Sequence, residues 1–109
     1  MDVKSRILGF FEAENRRDWE AYRQYLSPDV VWVLYGRQTR TICGIGPYME
    51  AIRGAYEDNN DTFVCESLHE SGDGRRVAVV LRNDFGERSC EVFDFEGELI
   101  AREYEFPLG

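Results

Sequence analysis

Apolar side chains first recur at helical spacing: Val3, Ile7, Phe10 and Phe11, with Leu8 at the flank, give residues 3 to 15 one buried face. Asn15-Arg16-Arg17 interrupts that pattern. Asp18 then sits where a carboxylate can accept from free helical N–H groups, with Glu20 in the first turn, so a short second helix follows. Trp19, Tyr22 and Leu26 mark its buried side, and Pro28 ends it by forcing the residue before it out of the helical region. Val30 to Tyr35 is an unbroken run of β-branched and aromatic residues between turn formers, which predicts a strand covered on both faces. The looser segment from Arg37 to Gly44 leads to Gly46-Pro47, where proline suits the first position of a third helix. Tyr48, Met49, Ile52, Ala55 and Tyr56 line one side of it, and Asp58-Asn59-Asn60-Asp61 stops it.

From Thr62 onward the period changes to two. Strands are predicted over Thr62 to His69, Arg75 to Asn83, Glu87 to Phe95 and Glu98 to Phe106. Turns at Ser71-Gly72-Asp73-Gly74, Asp84-Phe85-Gly86 and Glu96-Gly97 separate them. The order α-α-β-α-β-β-β-β, without repeat or linker, is that of a single α+β domain over residues 1–109, with helices packed on one face of a curved sheet. Two strands are apolar on both faces, more than one helical layer covers, so the sheet is expected to pair with a second copy as a homodimer.

Charge narrows the partners. A net charge of −8 opposes binding to nucleic acid or to an anionic membrane surface. Arg16-Arg17 and Arg75-Arg76 are too local to reverse that field. Three widely spaced cysteines, Cys43, Cys65 and Cys90, form no CxxC pair and read as reduced thiols of a cytoplasmic protein. No apolar stretch approaches the ~20 residues of a membrane span, and the charged start of the chain does not read as a signal peptide.

Several segments in this order resemble the nuclear transport factor 2-like superfamily, in its SnoaL-like and ketosteroid-isomerase-like branch. The resemblance is carried by Phe10-Phe11 to Asn15 with Asp18-Trp19, Leu26-Ser27-Pro28-Asp29-Val30-Val31-Trp32, Gly46 before a helix, and Phe93-Asp94-Phe95-Glu96-Gly97-Glu98-Leu99-Ile100. It implies a cone: a curved, mostly antiparallel sheet wrapped around the N-terminal helices, with an internal pocket for a small hydrophobic or amphipathic molecule. Isomerases, cyclases, hydrolases and non-catalytic modules share that scaffold, so the resemblance implies acid–base chemistry without a cofactor or, alternatively, a ligand-sensing or dimerisation module. Ketosteroid isomerase combines an Asp base with a Tyr and a protonated Asp. By the resemblance those positions fall on Leu34, Phe10 and Glu91, of which only Glu91 can exchange a proton.

A turn at Glu96-Gly97 registers the last hairpin so that Phe93 faces Ile100 and Glu91 faces Arg102. On that register Glu91 and Arg102 form a polar pair, Glu91 as acid or base and Arg102 as oxyanion holder, the alternative being a structural ion pair. Phe93, Tyr104 and Phe106 share their face, and by strand parity Trp32 and Leu34 join Phe10 in the expected pocket wall. His69 is the only histidine and lies by a turn, which argues against a multi-histidine metal centre, and no metal site is expected. The acids Asp58, Asp61, Glu66, Glu70 and Asp73 lack EF-hand spacing and read as a solvated rim. Gly44-Ile45-Gly46 lacks the third glycine of a dinucleotide loop, and no nucleophile elbow is present.

Overall fold

The computed structural model describes residues 2–109. Helix α1 (Val3–Arg16) opens with the Asp2 carboxylate accepting from the Lys4 N–H at 3.1 Å, and α2 (Trp19–Arg23) is capped by Asp18 as its position suggested. Strand β1 (Leu26–Leu34) and β2 (Arg40–Cys43) precede α3 (Ile45–Ala55), and β3 (Phe63–Glu70), β4 (Arg76–Asn83), β5 (Arg88–Glu96) and β6 (Leu99–Pro107) follow. They form one curved, open sheet in the order β2-β1-β6-β5-β4-β3, antiparallel except where β1 meets β6.

The core lies between the helices and one face of that sheet. Val3, Ile7, Phe10 and Phe11 of α1 and Tyr48, Met49 and Ile52 of α3 meet Val30, Val77, Val79, Phe93 and Ile100. Phe10 stacks on Tyr22 with ring centroids 4.2 Å apart and meets Phe93 edge-on. The Asn15 side-chain amide closes two hydrogen bonds with the backbone of Phe63, tying the end of α1 to the edge strand β3. The opposite face of the sheet is half-buried or exposed: Val31, Val33 and Tyr104 are partly covered, and Tyr35 stacks on Phe106 at 4.4 Å.

Four expectations change. The segment from Arg37 to Gly44 contains β2, an edge strand paired with β1 whose one buried residue is Ile42. Strand β1 begins at Leu26, not Val30, and absorbs Pro28 at an irregularity in its pairing with β6. Helix α3 starts at Ile45, so Pro47 is its third residue, still within the first turn where N–H groups lack helical partners.

The fourth change is in the last hairpin. Its turn is Gly97-Glu98, with Gly97 at φ 60, and Glu96 pairs with Leu99. Phe95 pairs with Ile100 but Asp94 pairs with Arg102, leaving Ala101 as a bulge. One unpaired residue exchanges the faces of everything beyond it. Glu91 therefore lies opposite Glu105 and Phe93 opposite Glu103, while Arg102, Tyr104 and Phe106 turn to the outer face.

Candidate functional site

Between the helices and the inner face of β4, β5 and β6 lies a cavity of about 330 Å³. Trp32 and Leu34 form one wall, Phe63 and Leu81 another, and Glu14, Glu91, Glu103 and Glu105 face it. Two larger depressions, about 1170 and 740 Å³, are more open grooves that none of these four glutamates lines.

The alternation of β5 puts Glu91 inward with Phe93 and Phe95, and the Ala101 bulge puts Glu103 and Glu105 beside it. Glu91 is 8% exposed and Glu103 4%. Carboxylate oxygens of Glu91, Glu103 and Glu105 lie within 4.8 Å of one another. Such a cluster holds either protons or a counter-cation, because two buried carboxylates with a third, half-buried one beside them cannot all ionise alone.

Around them hydroxyls are disposed as donors. Tyr48 Oη donates to Glu103 Oε1, so in its 3.0 Å contact with Tyr22 Oη the Tyr22 hydroxyl is the donor. Ser89 Oγ donates to Glu91 Oε2 at 3.0 Å, and Tyr56 Oη to Glu14 Oε2 at 2.6 Å. Burial pushes Glu91 and Glu103 well above the usual carboxylate range; Glu105 adds to both, and the Ser89 and Tyr48 hydroxyls oppose. Burial also raises Glu105, against a lowering pull from the Trp32 N–H. Glu14 is raised to about 7, chiefly by burial of its carboxyl, although the residue as a whole is only partly covered.

The Glu103 charge pushes Glu91 up, whereas a hydrogen bond from Glu91 draws Glu103 down, so a proton on Glu91 and a charge on Glu103 favour one another. Chemically this is a general acid with a base beside it, fed by a chain of two tyrosine hydroxyls. Tyr22 and Tyr48 stay protonated, since burial lifts both well above the ordinary phenol value. Among the described residues two buried donors lack a hydrogen-bond partner, Arg17 Nε and Trp32 Nε1, and of these Trp32 lines the cavity. It lies near Glu105 but not in bonding geometry.

The expected residues divide accordingly. Glu91, Trp32 and Leu34 face the cavity. Phe10 and Phe93, 1% and 0% exposed, fill the core beneath it. Arg102 is exposed beside Asp94 on the outer face, so it makes no pair with Glu91, and Tyr104 and Phe106 lie on that face too. Sequence reasoning missed Glu14, Glu103 and Glu105. The signal for the last two is the adjacent buried pair Ile100-Ala101, which regular alternation cannot place on one face. His69 is exposed, and the three cysteines are free.

The SnoaL-like domain model matches residues 7–103. The chain belongs to the SnoaL-like domain family. None of the curated proteins matches the sequence. Solved structures share the SnoaL-like fold at low identity. A SnoaL-like protein of unknown function from Burkholderia thailandensis superposes with a TM-score of 0.86 at 15% identity, over 98% of this chain and 95% of that one. A candidate ketosteroid isomerase from Kribbella flavida gives 0.81 at 20%, over 99% and 78%. A candidate polyketide cyclase from Sinorhizobium meliloti gives 0.81 at 15%, over 93% of each. At these identities the likeness establishes the SnoaL-like fold and leaves the chemistry to the cavity.

Proposed function

We propose that this SnoaL-like domain binds a small molecule in the 330 Å³ cavity and acts on it by cofactor-independent acid–base chemistry of the isomerase, cyclase or hydrolase kind. The observation that carries the reading is the buried Glu91–Glu103 pair opening onto a cavity that Trp32, Leu34, Ile52, Phe63 and Leu81 also line. Glu91 and Glu103 take the roles of acid and base, and Trp32 and Leu34 hold the ligand. The ketosteroid isomerase and polyketide cyclase descriptions of two structural neighbours support this class of reaction.

The test is to denature purified protein in methanol and profile what it releases by mass spectrometry, beside a Leu34→Trp variant whose indole fills the cavity. A molecule carried by the wild type and absent from the variant supports the reading. Equal loading, or none in either under ligand-replete growth, counts against it. Glu91→Gln and Glu103→Gln, given the captured molecule at saturating concentration, should then fail to convert it. The half-covered outer face, with the Tyr35–Phe106 stack and Val31, Val33 and Tyr104, favours a second role for the sheet as a homodimer interface. Light scattering that finds only monomer at micromolar concentration overturns that part alone.

A further inference from the structure

The charges facing the cavity are strongly one-sided. Helix α1 contributes Glu14, β5 contributes Glu91, β6 contributes Glu103 and Glu105, and the β4–β5 turn contributes Glu87 at the rim. From α2 and α3 come only the neutral phenols Tyr22 and Tyr48, with Tyr56 just beyond α3. The two guanidiniums within reach are already engaged. Arg88, at the rim, is held by Glu66 through Nε at 2.6 Å and Nη2 at 3.2 Å. Arg17 donates to the backbone carbonyls of Glu14, Asn59 and Asp61, and lies 3.8 Å above the Tyr56 ring. No basic side chain among the described residues therefore balances the Glu91, Glu103 and Glu105 carboxyls directly.

Two further features indicate what would balance them. Four aromatic residues, Trp32, Tyr22, Tyr56 and Phe63, share the lining with these carboxyls, and aromatic faces attract organic cations. The Trp32 N–H, on a side chain only 5% exposed, lines the cavity with no acceptor in bonding geometry. A bare metal ion would leave most of 330 Å³ empty and that N–H unmatched. We infer that the ligand is a small organic amine, its ammonium seated among Glu91, Glu103 and Glu105 and an oxygen beside it accepting from Trp32 Nε1. This deepens the small-molecule reading above and rests on it. Seating the ammonium displaces a proton shared by the carboxyls into solvent, so charge balances without any other group.

Matched probes test it: 2-phenylethylamine, 2-phenylethanol and 3-phenylpropanoate, their cyclohexyl counterparts, and phenylalaninol, which carries both ammonium and hydroxyl. Calorimetry at pH 7.5 in two buffers of different ionisation enthalpy reads affinity and proton release together. The amines should bind at least tenfold tighter than the alcohols, release about one proton each, and leave the acids unbound. Phenylalaninol should bind tightest, and Trp32→Phe should remove its advantage over 2-phenylethylamine. Glu103→Gln, checked for folding by its thermal midpoint, should erase the preference for amine over alcohol. Alcohols that bind as well as amines overturn the charge assignment and leave the acid–base reading standing. Manganese or calcium that competes with the amines and binds more tightly also overturns it. A panel in which nothing of any charge binds overturns both.

Discussion

Replacing Glu14 by Gln isolates one buried carboxyl and turns its position into a measurable pH dependence. Burial is the main cause of its rise to about 7 from an ordinary 4.5, and Glu105 adds to it, while the Tyr56 hydroxyl and Arg17 pull the other way. A group whose folded-state value is raised binds its proton more tightly in the native protein. Its contribution is therefore complete below about pH 4.5 and is lost as pH rises through about 7. At about 1.4 kcal/mol per pH unit the full loss is roughly 3 kcal/mol, of which about 2.5 falls between pH 5 and pH 8. Gln cannot ionise, yet its carbonyl still accepts from the Tyr56 hydroxyl. Urea unfolding followed by tryptophan fluorescence at pH 5, 6, 7 and 8 and fixed ionic strength gives both stabilities. Subtracting one from the other removes most of the general effect of a net charge of −8. The variant should gain on the wild type by roughly 2.5 kcal/mol across that range, since the titration it lacks no longer destabilises the fold. A difference that stays flat, or narrows toward alkaline pH, would refute the placement of this carboxyl inside the fold.

Tyr48→Phe leaves the Glu103 carboxyl and the Tyr22 hydroxyl each short of a partner in the interior, and should cost about 1–3 kcal/mol in urea unfolding. A double-mutant cycle with Glu103→Gln should show coupling; strict additivity would contradict the hydrogen bond. Gly9→Ala ought to gain up to about 1 kcal/mol from helix propensity, but the new Cβ would overlap the Tyr25 hydroxyl, so no net gain is expected. In a Tyr25→Phe background most of that gain should return, as read from thermal midpoints. Asn15→Ala removes both bonds to the Phe63 backbone and should cost about 2 kcal/mol, with faster hydrogen exchange confined mainly to β3.

Where side-chain pattern and burial coincide, the sequence was a sufficient guide to structure. Val3, Ile7, Phe10 and Phe11 fall on the buried side of α1, and Val77, Val79 and Leu81 on the inner face of β4. Strand β2 was illegible because an edge strand with a single buried residue carries almost no periodic signal. The face of β6 was misread for a more instructive reason. Hydrophobicity favours Tyr104 and Phe106 inside and Glu103 and Glu105 outside, and the structure has the reverse. Burying carboxyls opposes folding, which is the local inconsistency expected where a fold has been shaped by a site. Glu91 was found because β5 alternates without interruption, and Arg102 was misplaced because β6 does not.

The Ala101 bulge also bears on how members of this family are compared. An insertion of one codon in such a strand, absorbed as a bulge, exchanges one alternating set of side chains for the other along the rest of its length. An acidic cavity floor can thus arise in a lineage without a single substitution at the positions that form it. At 15–20% identity, residues that align in a sequence column of this strand can point to opposite sides of the sheet. Chemistry is therefore transferable between these relatives only along the hydrogen-bonded ladder, counted from the β5 partner, and not along the column.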